Sequence, residues 1–176
     1  KITKTFSQAD FVHVSIRNIL SAILQGAILV IIILFMFLGN WRTSVITIVA
    51  IPLSLIIAIL VLKSFGQTIN AMTLGGLAVA VGELVDDAII DVENVYKRLR
   101  INKLSKNPRP AFEIILNASS EVRNSVVYGT FIITVVLMPV LFLGGLAGQI
   151  FKPLAWAYII AIFASLFVAL TLTPAM

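Results

Sequence analysis

Polar and apolar positions along this chain fall into long separate blocks. Five apolar runs stand out: Ile19–Leu38, Thr43–Leu62, Ala71–Val95, Ser125–Leu143 and Leu154–Leu172. Each reaches about twenty residues, the length at which a helix crosses the hydrocarbon core of a bilayer. In lipid every backbone N–H and C=O must be satisfied within the segment, so an open chain crosses as helix. The pattern predicts an all-α polytopic membrane bundle of five transmembrane helices. Pro52 lies inside the second run and Pro139 late in the fourth, interruptions that packed neighbouring helices accommodate.

Composition agrees with the pattern. Residues are 60% apolar and only 12% charged, where a soluble domain carries about 25% charged residues. With no cysteine, a disulfide framework and thiolate metal sites are excluded. The formal charge of +5 would suit a nucleic-acid partner, but its placement argues otherwise. Seven of the 13 basic residues sit in one linker, Tyr96–Asn124: Lys97, Arg98, Arg100, Lys103, Lys106, Arg109 and Arg123. The positive-inside rule makes that linker cytoplasmic.

Arg42 then also lies inside, with Lys63 and Lys152 outside and the N-terminus periplasmic. A first span that enters from outside implies a fragment whose missing N-terminal part crosses first. Within the basic linker, "RPAFEIILNASSEV" opens on Pro110 and spaces Phe112, Ile115 and Leu116 as one helical face. This predicts a short amphipathic helix at the membrane surface. His13 precedes the first span and reads as interfacial rather than as a ligand. Trp41, Trp156 and Tyr158 fall at span ends, where an aromatic belt would place them.

The third run is the exception to the charge-free pattern. "GELVDDAIIDVENV" carries Glu83, Asp86, Asp87, Asp91 and Glu93, five of the chain's eight acids. At about 100° per residue these acids and Asn94 share an arc about 160° wide, with Leu84, Val85, Ile89 and Ile90 expected largely on the other side. The helix is expected to turn this face to a protein interior or a wet cavity. Three acids, Glu83, Asp86 and Asp87, cost roughly 7–10 kcal/mol in lipid, whereas the ten Leu, Ile and Val between Thr73 and Val95 return roughly 3–6.

No Lys or Arg lies inside any of the five runs, so either some acids hold protons or a cation comes from elsewhere. Burial and a like-charged neighbour both favour a protonated carboxyl, and intramembrane acids mark proton relays. Asp86 and Asp87 are therefore the expected proton-carrying pair. Glu83 and Asp91 are candidate relay or accessory groups, and Glu93 is expected to pair with the nearby basic residues. Gly75, Gly76 and Gly82 precede the cluster and suit either close helix approach or conformational freedom during a working cycle.

Several stretches resemble the resistance-nodulation-division (RND) efflux transporters. "TLGGLAVAVGELVDDAIIDVENVYKRL" is similar to their fourth transmembrane helix, with its paired Asp and the following "VEN". "LFMFLGNWRTSVITIVAIPLSLI" resembles the junction of the second and third helices, "FGQTINAMTLGGL" the entry to the fourth, and "LTLTPAM" the end of the sixth.

The resemblance implies a fragment covering helices two to six of a twelve-helix transporter of the bacterial inner membrane. It also implies a homotrimer, a periplasmic adaptor and an outer-membrane channel, with protons exchanged for exported substrate. Asp86 and Asp87 would carry the coupling protons, facing a Lys of the C-terminal half. No cofactor is implied. Glu83 and Asp91 look like the heavy-metal branch rather than the multidrug branch. Met72 matches one position of a methionine relay for soft copper and silver ions, but Leu84 stands where another would be. Met36, Met72 and Met138 read as core residues instead. Divalent cations such as Zn²⁺, Co²⁺ or Cd²⁺ are the expected cargo, with a hydrophobe or drug exporter as the alternative.

Two further classes share features of this sequence. Asp86, Asp87 and Asp91 approximate the DDxxD pattern of Mg²⁺–diphosphate binding in prenyl-transferring enzymes, with one more residue before the last Asp. That chemistry needs a second Asp-rich motif, and the remaining Asp, Asp10, lies across the membrane. A proton-driven, non-transport relative of the same fold is the other.

Overall fold

Asn70 fixes where the acidic helix begins. Its side-chain oxygen accepts the Met72 and Thr73 backbone N–H groups at 2.9 Å, while the Asn70 N–H donates to the Thr73 hydroxyl oxygen at 2.7 Å. This reciprocal cap satisfies donors that a helix start otherwise leaves unpaired. The preceding helix stops at Gly66, whose φ of 68° is open to a residue without Cβ. There the Gly66 N–H donates to the Lys63 carbonyl and the Gln67 N–H to the Leu62 carbonyl, both at 3.0 Å. That pair of bonds closes a helix on a left-handed residue.

The computed structural model describes residues 8–38, 41–105 and 107–175. They form α1 (Gln8–Leu38), α2 (Trp41–Ser64), α3 (Ala71–Lys103), α4 (Ala111–Leu141) and α5 (Gly145–Ala175), with no strand among the described residues. Four segments are long and apolar enough to cross a membrane: His13–Ile33, Ser44–Ser64, Ala111–Leu141 and Gly145–Leu172. α3 has the length, at 33 residues, but its acids set it apart from the other four.

α3 and α5 form the centre of the bundle and share its most extensive interface. α2 and α4 also pack on both, and α1 rests on α2 and α3. The core is a seam of small residues with a few leucines: Ala58 and Leu62 from α2, Leu77, Ala80 and Leu84 from α3, Ala157, Ala161 and Ala164 from α5. Small side chains let helix backbones come close without a water-driven hydrophobic force, which lipid does not supply. Gly76 marks the tightest approach, because a Cβ there would strike the Leu154 carbonyl oxygen of α5. Gly75 and Gly82, expected to serve the same purpose, face open space.

Outward faces are apolar: Leu24, Ile28 and Ile32 on α1, and Ile132, Val135 and Val136 on α4, are all exposed. Phe35 and Trp41 stack at 5.2 Å between ring centroids at the α1–α2 turn.

The stretch Tyr96–Asn124 differs from the expected linker. α3 runs on to Lys103 and α4 starts at Ala111, so only residues 104–110 connect them. The helix expected in "RPAFEIILNASSEV" is present, but it is the first part of α4 and not a separate surface helix. Between Ala111 and Pro139 nothing breaks helix propagation, and extending a helix is far easier than nucleating a second one. Asn102 closes the turn: its side-chain amide donates to the Arg109 carbonyl and its oxygen accepts the Arg109 N–H, both at 2.9 Å. α1 and α5 likewise begin well before their apolar runs.

Candidate functional site

The buried stripe of α3 runs Thr73, Gly76, Leu77, Ala80, Leu84, Asp87, Ala88, Asp91. Its spacing of three and four residues is that of one helix face. Asp87 and Asp91 therefore enter the core by register with the alanine seam, and only 6% and 5% of their surfaces remain exposed. Asp86 is one residue back, about 100° around the helix, and is exposed, as is Glu93; Glu83 is half-buried between them. The single acidic face read from the sequence is thus divided. Val85, expected opposite the acids, is itself buried, because α3 is packed on more than one side.

Asp87 meets α5. The Ser165 hydroxyl donates to Asp87 Oδ2 at 3.2 Å, and Ser165 is buried too. Among the described residues no Lys or Arg forms a salt bridge with Asp87. A buried carboxylate held by one neutral hydroxyl is costly while charged, so a proton or an external cation must neutralise it.

On the other side, Glu83 and Asp86 open into a groove of about 480 Å³. Val30 and Ile33 of α1, Val79, Gly82, Val85 and Ile89 of α3, and Tyr158 of α5 complete its wall. Adjacent aspartates thus look into different surroundings: Asp87 into the helix interface and Asp86 into the groove.

Nearer the basic end, α3 and α4 are clamped. The Asn94 side-chain amide donates to the Ala118 carbonyl at 2.8 Å and to Glu121 at 3.2 Å. Arg98 grips both Glu121 oxygens, with its closest contacts at 2.9 Å. Among the described residues the salt bridge of this region is made by Glu121, with Arg98, while Glu93, expected to pair with the basic residues, is exposed.

Asp86, Asp87 and Asp91 do not converge as a diphosphate-metal cluster would require, since Asp86 faces away from the other two. Among the described residues no group of three or more His, Cys, Asp or Glu could hold a metal ion. Met36, Met72 and Met138 are exposed and not in the core as expected; they lie on outward faces, where a thioether is as apolar as its surroundings. His13 is exposed as expected, and the Asp10 side chain lies outside the described residues. Tyr158, expected in an aromatic belt, lines the groove of Glu83 and Asp86. Ser165, Ser119 and Glu121 were not singled out from the sequence. Ser165 alone left a trace there, as a polar interruption of "AIFASLFVAL".

A bundle of this kind, with four described helices long and apolar enough to cross a membrane and carboxylates buried on its central helix, defines a polytopic membrane protein. The chain matches the AcrB/AcrD/AcrF family over residues 1–176. It is 36% identical over 97% of its length to the swarming motility protein SwrC of Bacillus subtilis (strain 168). Identity is 31% over the whole chain to the multidrug resistance protein MdtF of Escherichia coli (strain K12). With the cobalt-zinc-cadmium resistance protein CzcA of Cupriavidus metallidurans it is 32% over 99% of the chain. The chain belongs to the AcrB/AcrD/AcrF family of RND transporters. It spans 16% of the length of SwrC and MdtF and 17% of that of CzcA.

Proposed function

We propose that this chain is the proton-coupling segment of an RND exporter in the bacterial inner membrane, with Asp86 and Asp87 as its proton-carrying pair. The observation that carries this reading is Asp87, buried at the α3–α5 interface with a serine hydroxyl as its partner. Loading a proton removes the need for a counter-charge; unloading restores it. The two states differ in which helix packing they favour, and that difference is what a proton gradient can use to drive a distant step.

In this reading the N-terminal end of α1 is periplasmic and the 104–110 turn cytoplasmic, which puts the basic residues of α3 and α4 inside. Asp86, in its groove, receives protons from the periplasmic side, and a Lys of the other half of the transporter faces the pair. The whole protein works as a trimer with a periplasmic adaptor and an outer-membrane channel.

Identity to MdtF and to CzcA is nearly equal, so similarity does not choose the cargo. Glu83 and Asp91, the acids associated with the metal branch, favour a divalent cation such as Zn²⁺, Co²⁺ or Cd²⁺. The test is resistance of cells expressing the full-length transporter. Asp86→Asn and Asp87→Asn should each abolish protection while trimer assembly persists, and normal protection by either variant would refute the assignment. Protection against Zn²⁺, Co²⁺ and Cd²⁺ supports the metal reading; protection against dyes and detergents alone replaces it with the multidrug one.

A further inference from the structure

Asp91 sits one helical turn beyond Asp87 toward the basic end, and it is as deeply buried. Neither of its carboxylate oxygens has a hydrogen-bond partner, nor does the Ser119 hydroxyl. Ser119, on α4, stands near enough to act on the carboxylate electrostatically without hydrogen-bond geometry. An unpartnered buried carboxylate is among the least favourable groups a core can hold, so a structural role alone does not account for it.

Both groups, with Asp87, line one small cavity between α3, α4 and α5. Its volume of about 10 Å³ is at the lower bound for holding one water, and three oxygen-bearing side chains give such a water the partners it needs. Val122 and Val126 of α4 and Ala169 and Leu170 of α5 form the apolar wall. The charged or titratable groups lining it are Asp87 and Asp91 from α3 and Arg123 from α4; α5 contributes none. Arg123 is exposed, so the lining of the cavity runs from buried Asp87 to a residue at the surface.

We propose that Asp91 is a second proton-holding residue, which takes the proton from Asp87 across this cavity and releases it at the Arg123 end of the bundle. This rests on the reading of Asp87 as a coupling carboxyl. In the first step the Asp87 O–H bond breaks and an O–H bond forms on the Asp91 carboxylate, directly or through one water. In the second, Asp91 gives its proton to bulk water and returns to the carboxylate. The Arg123 guanidinium stabilises the charge left behind, which gives the relay its outward step. Asp86 takes no part in this exit, because it faces the opposite groove.

The test is proton movement by the full-length transporter in liposomes loaded with a pH-sensitive dye, comparing wild type, Asp87→Asn, Asp91→Asn and Arg123→Gln. Asp91→Asn is near-isosteric and should slow proton release about tenfold or more. Arg123→Gln should slow it several-fold and move its rate–pH profile to higher pH, a shift that a merely structural residue would not cause. A wild-type rate for Asp91→Asn beside an inactive Asp87→Asn overturns the Asp91 proposal and leaves the coupling reading standing. A wild-type rate for Asp87→Asn defeats both. Should Asp91→Asn fail to assemble, Arg123→Gln decides: its position is exposed, and an unmoved profile overturns the proposal.

Discussion

The Ser165 hydroxyl reaches Asp87 across the α3–α5 interface at 3.2 Å, and both residues are buried. This bond joins the proposed proton site to the central packing interface of the bundle. A change of protonation at Asp87 is therefore felt first by α5, not by α1 or α4. Hydrogen bonds to a charged group contribute about 1.5–3 kcal/mol, enough to bias which packing is preferred.

Ser165→Ala removes that donor from the carboxylate and leaves the proton more tightly held. Export by the full-length transporter should fall about tenfold, on the scale of one such bond, and its pH profile should move to higher pH. Ser165→Thr keeps the hydroxyl and should retain most activity. Transport rates measured across a pH series would check both; an unmoved profile for Ser165→Ala would separate the hydrogen bond from coupling.

Gly76 is the point of closest approach between α3 and α5, so Gly76→Ala forces the helices apart. We expect destabilisation of about 1–3 kcal/mol, the usual cost of overpacking, read as earlier thermal aggregation of the detergent-solubilised protein. Gly75→Ala and Gly82→Ala meet open space and should leave it unchanged. Equal effects at all three positions would mean that helix propensity, not packing, sets the outcome.

At the α3–α4 clamp the two kinds of contact should differ. The Arg98–Glu121 pair is about half exposed, with side chains at 49% and 45%, and solvent screens such pairs so that they contribute little. Arg98→Gln should therefore change thermal stability little. Asn94→Ala leaves the Ala118 carbonyl without its side-chain donor beside buried Ser119 and should cost more, about 1–3 kcal/mol. Thermal stability of the two variants side by side tests this order.

The helices were legible because bilayer-length apolar runs admit few alternatives, and the acidic stretch was legible because five acids on one apolar helix stand out. The division of those acids was not. A wheel places Asp86 and Asp87 on one broad arc, but which part of the arc is buried depends on where α5 lies, and no residue of α3 encodes that alone. Ser165 and Ser119 were missed for the same reason: their meaning comes from what faces them across an interface. The separate surface helix failed as an expectation because amphipathic spacing marks a face but not an end. "RPAFEIILNASSEV" lacks a stop signal, so its helix runs into the next span. The exposed methionines show the limit of equating apolar with core in a protein whose outside is also apolar.

Proton coupling through this bundle requires Asp87 to gain and lose a proton within the folded transporter. Infrared difference spectra of the full-length protein, recorded between acid and alkaline buffer, measure this directly through the C=O stretch of a protonated carboxyl. We predict a band that appears on acidification, shifts in D₂O and is missing from Asp87→Asn. A spectrum of Asp87→Asn that retains every carboxyl band of the wild type would contradict the account.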